Sequence, residues 1–503
     1  MKVLLMHPGK DFDLQQELPW NAKTLVADLG LEVLVRTAAQ GDETVHDVVT
    51  RALLNACRND VETVLFRQAV LHDAIAERES VEGLFALAVR TIEEKRRNHS
   101  GIWGHSPSSV LYSSLELMTF LLKALRRLRA FVAERPRTFR SEGFVRLFET
   151  LEQELDDAYF EEIERHLTEL RFRKGVLLSA ELGPGGVGRD YLLHAWPTPD
   201  RGWLARLFPR SLSGYSFALA ERDEAGAQAL AEIRSHGLNL VANALAQAAD
   251  HVDSFFRMLR GELAFYVGCL RIRDQLAALD EPSCFPTPFP PGARRLRARA
   301  LYNPCLSLQL QRITVPSDVD ATGKDIIVVT GANQGGKSVF LRGLGIAHLM
   351  MQSGMLVGAE SYEGELSASV VTHFKREEDA SLAEGKFGEE LTRFSELVDH
   401  IAPNALVLLN ESFAATNERE GSEIARQVVT ALVEHGVKVV FVTFLHAFAR
   451  TVQERNREQC LFLRAERYPD GTRTFRLVEG APLATSHARD LYRKIFAETA
   501  GHG

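Results

Sequence analysis

The run Gly331-Ala332-Asn333-Gln334-Gly335-Gly336-Lys337-Ser338 is where this sequence most plainly offers chemistry. It satisfies the spacing G-x-x-x-x-G-K-[S/T]. Apolar Ile326-Ile327-Val328-Val329 precedes it and Val339-Phe340-Leu341-Arg342 follows. That pattern predicts a buried strand, a glycine loop and a helix. Glycines there let backbone N–H groups turn inward round a phosphate with no Cβ in the way. The helix N-terminus adds partial positive charge. Lys337 would neutralise the outer phosphates of a nucleotide, and the Ser338 hydroxyl would ligate Mg²⁺.

Such a loop calls for a second strand ending in polar groups. Leu406-Val407-Leu408-Leu409-Asn410-Glu411 supplies it further downstream. Glu411 stands just past the strand end, where it can polarise an attacking water. Asn410 stands where a carboxylate would hold a metal-bound water. Its amide oxygen still accepts that hydrogen bond but brings no negative charge. Weaker magnesium retention and slow turnover are expected, with nucleotide binding preserved.

The elements that must position these residues are legible as alternating strand and helix patterns. Asp325–Val329 precedes a helix from Ser338, Ala405–Leu409 precedes a helix from Gly421, and Val437–Thr443 precedes another helix. Alternation of this kind predicts an α/β domain with a mostly parallel sheet. A hairpin around Pro469-Asp470-Gly471 and a helix over 486–499 follow. Upstream, residues from about 22 to 175 read as successive helices with apolar positions every three or four residues, and 223–279 returns to helix. Between 282 and 291 stand five prolines, which no helix can cross, so the main domain boundary is expected there.

Composition bounds the rest. The 503 residues carry 59 Lys and Arg against 67 Asp and Glu, a formal net charge of −8. That excludes a strongly basic nucleic-acid coat protein but not a local basic patch. Five scattered cysteines without a C-x-x-C pair support neither a disulfide framework nor a cysteine zinc site, and suit a reducing cytoplasm. No apolar run approaches a membrane span, and no signal segment is evident.

Three further constellations weigh a ligand against a structural explanation. Gly183-Pro184-Gly185-Gly186-Val187-Gly188 literally matches G-x-G-x-x-G, but a returning strand follows it, which makes a hairpin tip the better expectation. Residues 121–140 are basic and 149–164 acidic. They either track a phosphate backbone or pair with each other, and mutual pairing is favoured. Arg189, Arg201, Arg206 and Arg210 interleave with Tyr191, Trp196, Trp203, Phe208 and Tyr215. This suits contact with a nucleic-acid strand or a small β-subdomain with its own aromatic core, and the subdomain is favoured. The run Arg294-Arg295-Leu296-Arg297-Ala298-Arg299 reads as a solvated connector.

The loop GANQGGKS resembles that of the MutS DNA mismatch-repair ATPases, usually GPNMGGKS. The likeness continues through Gln352–Ser361, Asn410-Glu411-Ser412 and Ala415–Gly421, and more loosely through Ala27–Leu31 and the helices after it. It implies an ATPase with ATP and Mg²⁺ as ligands, a homodimer with nucleotide at the interface, and DNA as partner. Departures are visible. The family's signature serine, which reaches across to the partner's nucleotide, falls at Gly385. The switch Thr-His reads Thr443-Phe444-Leu445-His446. The chain begins almost directly on the helical core, so the mismatch-reading Phe-x-Glu domain is expected to be absent.

The fold class expected is therefore α plus α/β. A helical core and lever domain spans 1–281, with a small β-containing insertion at about 174–222. A linker follows at 282–300, then a P-loop ATPase domain at 301–503. The function expected is ATP hydrolysis that gates dimer conformation and binding to DNA structure or plain duplex. The alternative is a nucleotide-gated scaffold with weak hydrolysis that acts on protein partners; Asn410, Gly385, Phe444 and the negative net charge favour it.

Overall fold

The computed structural model describes residues 1–99, 106–134, 138–173, 175–194, 218–220, 222–332, 334–375, 385–455, 458–468 and 472–482. Helices come first: α1 (Ala22–Leu29), α2 (Leu31–Ala39), α3 (Glu43–Leu54), α4 (Val61–Ala76), α5 (Arg78–His99), α6 (Pro107–Ala133), α7 (Glu142–Glu154) and α8 (Asp157–Glu169). A hairpin of β1 (Leu177–Leu182) and β2 (Gly188–His194) precedes the long α9 (Glu224–Ala277). The chain falls into two compact groups: Met1–Val3, Gly83–Arg137 and Arg146–Arg260 in one, and Leu4–Glu82, Thr138–Val145 and Gly261–Gly503 in the other.

In the first group, Ser106 caps α6 and Pro107 opens it, which suits a helix start because the first N–H groups need no intrahelical acceptor. Leu111, Leu115, Met118, Leu122 and Leu125 bury one face at helical spacing. The outer face carries Arg126 and Arg129, which pair with Glu164 (2.7 Å) and Asp157 (2.6 Å) of α8 and lie over the Phe160 ring. The basic and acidic stretches thus pair with each other, each exposed pair adding little stability. The glycine run at 183–188 is a hairpin tip. Gly183 N–H donates to Val187 O at 2.8 Å, β1 and β2 pair antiparallel, and a single 3-10 turn (Pro184–Gly186) is followed by β2 and not by an α-helix.

The second group holds two sheets. The remaining elements are β3 (Thr287–Phe289), β4 (Leu296–Leu301), α10 (Pro304–Leu310), β5 (Ser317–Asp320), β6 (Ile326–Thr330), α11 (Lys337–Ser353), β7 (Ser361–Glu365), β8 (Val370–Phe374), α12 (Lys386–Val398), β9 (Leu406–Asn410), α13 (Glu418–Glu434), β10 (Lys438–Val442), α14 (His446–Arg455), β11 (Cys460–Arg467) and β12 (Arg473–Glu479). Six strands order as β12-β11-β6-β10-β9-β8, all parallel except β12. Their continuous apolar sequences follow from burial on both faces; every residue of β6 and β8 is buried. Four strands order as β3-β7-β4-β5.

Two expectations need correction. Residues 282–300 are not a plain linker, because β3 and most of β4 lie there. Pro288 is tolerated since β3 is an edge strand that need not donate on its free side. The arginine run is likewise no loose connector. Arg294 pairs with Asp325 (2.5 Å), Arg295 with Glu363 (2.6 Å) and Arg297 with Asp320 (3.6 Å), lacing β4 to its neighbours.

Compactness also departs from a division into 1–281 and 301–503, because α1, α3 and α4 pack on α11. Past residue 260, α9 presents Glu262, fully buried, to the N-terminal segment. Its carboxylate accepts the N–H groups of Phe12 (2.6 Å), Met6 (3.2 Å) and Leu5. Burial pushes its pKa up to about 7 despite those donors. The hairpin turn at 469–471 and the helix expected over 486–499 lie outside the described residues, although β11 and β12 do pair antiparallel around the former.

Candidate functional site

The glycine loop leaves the end of β6 and enters α11 at Lys337. Two physical demands select its glycines. Gly336 sits at φ 89°, a left-handed conformation, and a Cβ there would meet Phe475 O at 2.6 Å. A Cβ on Gly335 would meet the Ala465 Cβ at 2.7 Å. The loop is therefore pressed against the β11–β12 hairpin. Arg473 of that hairpin donates to Gln334 Oε1 at 2.7 Å, from across the loop. Asn333 lies outside the described residues.

The Lys337 ammonium turns into the loop. It donates to Gly331 O (2.9 Å) and Ala332 O (2.8 Å) and lies 4.2 Å from the Phe444 ring centroid. Burial pushes its pKa down to about 8; the Glu411 carboxylate opposes that shift and Arg473 adds to it. Two strands over, at the end of β9, Asn410 Oδ1 accepts the Ser338 Oγ hydroxyl at 2.9 Å. The structure thus brings Lys337, Ser338, Asn410 and Glu411 to one edge of the sheet, at the ends of β6 and β9.

Supporting residues hold the β9 end in place. Glu411 has φ 56°, strained for a side-chain-bearing residue, and its N–H is fixed by Val442 O at 2.8 Å. Glu390 accepts the Phe413 N–H at 2.7 Å. Arg393 donates to His373 Nε2 (3.1 Å), so the His373 proton sits on Nδ1 and donates to Ser412 Oγ (2.7 Å). Ser412 Oγ in turn donates to His373 O. A Cβ on Gly421 would meet Phe413 O at 2.4 Å, which fixes how closely α13 approaches. None of Glu390, Arg393 and His373 could be found from sequence, since their partners are set by strand pairing.

An apolar cavity of about 440 Å³ opens beside Gly336, with Ile313, Val315, Tyr302, Val339 and Phe475 in its lining. The Tyr302 hydroxyl is buried and has no hydrogen-bond partner among the described residues. Ile313, Val315 and Phe475 are exposed, an unusual state for large apolar groups grouped round one opening.

Other expected residues fall elsewhere. Gly385 precedes α12, and a Cβ there would meet nothing within 4 Å among the described residues. His446 opens α14, and its Nδ1 is buried without a partner among the described residues. Arg189 lies on β2, paired with Glu181 and Asp190 at 3.7 Å each. Arg201, Arg206 and Arg210 lie outside the described residues, as do Trp196, Trp203, Phe208 and Tyr215.

The residues fit Mg²⁺ only with help. Ser338 Oγ and Asn410 Oδ1 are hard oxygen donors of the kind the ion accepts. Among the described residues no cluster of three His, Cys, Asp or Glu could hold a metal.

The shifted lysine makes a testable demand on any phosphate ligand. Binding needs the ammonium form, so affinity is full below about pH 8 and falls as pH rises through that value, by at most about tenfold per unit. Calorimetry at about pH 8.5 in buffers of different ionisation heat should show proton uptake. Affinity flat from about pH 7 to 9 would contradict the shift.

Helices with mixed sheets, and a glycine loop between a buried parallel strand and a helix, define a protein of the α plus α/β class. The chain is a member of the MutS-like family. The MutS2 N-terminal domain matches residues 59–279 and MutS domain V matches 327–489. The DNA mismatch repair protein MutS of Chloroflexus aurantiacus is 29% identical over 222 residues, covering 41% of this chain and 23% of that protein. Endonuclease MutS2 of Thermus thermophilus is 30% identical over 175 residues, 34% of this chain and 23% of that one. Endonuclease MutS2 of Thermomicrobium roseum is 29% identical over 206 residues, 40% and 25%. The matched part thus spans about a quarter of the length of these relatives. No helix among the described residues is long and apolar enough to cross a membrane.

Proposed function

We propose that this chain binds ATP with Mg²⁺ at Gly331–Ser338 and hydrolyses it slowly, and that nucleotide state gates a homodimer that binds DNA by its backbone or structure. The observation that carries this is the convergence of Lys337, Ser338, Asn410 and Glu411 on the loop, with Ser338 and Asn410 at 2.9 Å. Backbone N–H groups from Gly331, Ala332, Asn333, Gln334, Gly335 and Gly336 cradle the phosphates while Lys337 neutralises them. The cavity lined by Ile313, Val315 and Phe475 takes the base, and Tyr302 offers it a hydrogen bond. When bound, Mg²⁺ screens the charge of the outer phosphates; Ser338 holds it directly and Asn410 through a water.

Glu411 orients a water against the γ-phosphorus. The water oxygen bonds to that phosphorus as the bond to the β–γ bridging oxygen breaks, ADP departs with the electron pair, and the water proton passes toward Glu411. ATP then acts as a conformational ligand, favouring one dimer geometry by its differential affinity. Arg189, Arg201, Arg206 and Arg210 are the proposed contacts to DNA phosphates.

A second reading rests on two observations: neutral Asn410, and Phe444 stacked on the Lys337 ammonium where a hydrogen-bonding switch residue is expected. Here the chain is a nucleotide-gated scaffold for protein partners with little or no hydrolysis. DNA binding separates the two. A backbone binder using about four cations loses about a hundredfold in affinity between about 50 and 200 mM salt. No binding at low salt, with or without ATP, would remove the DNA reading and leave the scaffold.

A further inference from the structure

A second pocket, of about 300 Å³, lies among the N-terminal residues of the same compact group, and the proposed nucleotide site makes no use of it. Its lining includes four cations, Lys10, Arg51, Arg58 and Arg67, against two carboxylates, Asp11 and Asp13. None of the four cations makes an ion pair among the described residues. Arg51 spends one N–H on Gln16 O, and Arg67 spends its own on Met6 O (2.7 Å), Ser353 O (3.3 Å) and His7 Nε2 (2.9 Å).

Arg67 is fully buried, so its charge is held in low dielectric; among the described residues only neutral acceptors lie at hydrogen-bond distance, with the Glu262 carboxylate acting on it from further off. Burial pulls its pKa down to about 10, and burial with Arg67 and Lys10 nearby pushes His7 down to about 3. His7 therefore adds no charge at neutral pH.

Asn55, at the end of α3, supplies the second observation. It is 6% exposed and lines the pocket, yet neither its Nδ2 nor its Oδ1 has a partner among the described residues. A buried polar group left unsatisfied is destabilising, so an amide idle at both ends calls for something that both accepts and donates. A bare anion answers the cations but not the amide donor and acceptor together.

We propose that this pocket binds a small oxyanion-bearing ligand, a phosphate or carboxylate held by Lys10, Arg51, Arg58 and Arg67, with an adjacent amide-like edge that pairs with Asn55. A nucleoside monophosphate has that chemistry. The site is distinct from Gly331–Ser338 and its occupancy does not depend on ATP binding there.

The test uses the full chain carrying Lys337→Ala, which weakens binding at the glycine loop, and reads melting temperature with AMP and, separately, with inorganic phosphate. Saturating ligand at about a hundredfold excess over its Kd should raise the melting temperature by about 3 °C or more. AMP should act at lower concentration than phosphate. Arg58→Ser, at an exposed position, should abolish the shift without changing the ligand-free melting temperature. Asn55→Leu removes an unsatisfied amide, so it should melt no lower than its parent without ligand and lose the preference for AMP over phosphate. Should Asn55→Leu fail to fold, Arg58→Ser decides alone. No shift from either probe at about 10 mM, or a shift that survives Arg58→Ser, would overturn the proposal.

Discussion

Glu411→Gln lowers steady-state ATP turnover by about 10²- to 10⁴-fold and leaves ATP affinity nearly unchanged. The carboxylate stands at the end of β9 with its backbone pinned to Val442. In the proposed mechanism it acts on the water, not on the nucleotide. Glutamine keeps the size and one acceptor oxygen but cannot take up a proton. Single-turnover kinetics beside a binding titration check the split. Wild-type turnover no faster than the variant would make the chain a nucleotide-gated scaffold. A parallel loss of affinity would mean that Glu411 supports the loop instead. Glu411 does lie near enough to Lys337 to oppose its pKa shift, so the affinity arm is needed.

Lys337→Ala has the second large effect. The ammonium is the cation that the loop itself turns toward the phosphates, and here it rests on two loop carbonyls and an aromatic face. Its removal would leave the phosphates of the proposed nucleotide in a partly desolvated site with Mg²⁺ as their remaining counter-charge, at a cost of about 2–4 kcal/mol, or thirtyfold to a thousandfold in Kd. The fold should survive. Removing a cation whose pKa burial has already depressed relieves a desolvation penalty, and α11 keeps its N-terminus at Gly336.

Much of this site is legible in the sequence because its signals are local. The spacing of Gly331 to Ser338 needs only a strand before it and a helix after it, and both are written as apolar runs. The end of β9 at Asn410-Glu411 is marked by a change from apolar to polar within one residue. What the sequence hides is set by pairing across the chain. Pro288 argues against a strand until β3 is known to be an edge. The arginines at 294, 295 and 297 look solvated until the fold brings Asp325, Glu363 of β7 and Asp320 of β5 to them. Glu262 reads as one more surface acid on a helix, yet it anchors three N–H groups of the N-terminal segment.

Phe475 and Tyr302 are equally silent in the sequence. Nothing near Phe475 says that its strand returns to the glycine loop, or that Gly336 must lack a Cβ to let it pass. Phe444 is visible as a departure from the family's Thr-His, but its stacking on Lys337 depends on where β10 ends beside β6. The MutS-like resemblance draws attention to Phe444 alone of these three, and what it touches is set by the geometry.

The most direct measurement is isothermal calorimetry of ATP with Mg²⁺ on the purified chain, paired with Lys337→Ala under the same conditions. Saturable uptake by the wild type and a loss of at least about thirtyfold in affinity in the variant are predicted. No heat of binding to the wild type, or equal affinity in both, would contradict the assignment of Gly331–Ser338 as a nucleotide site.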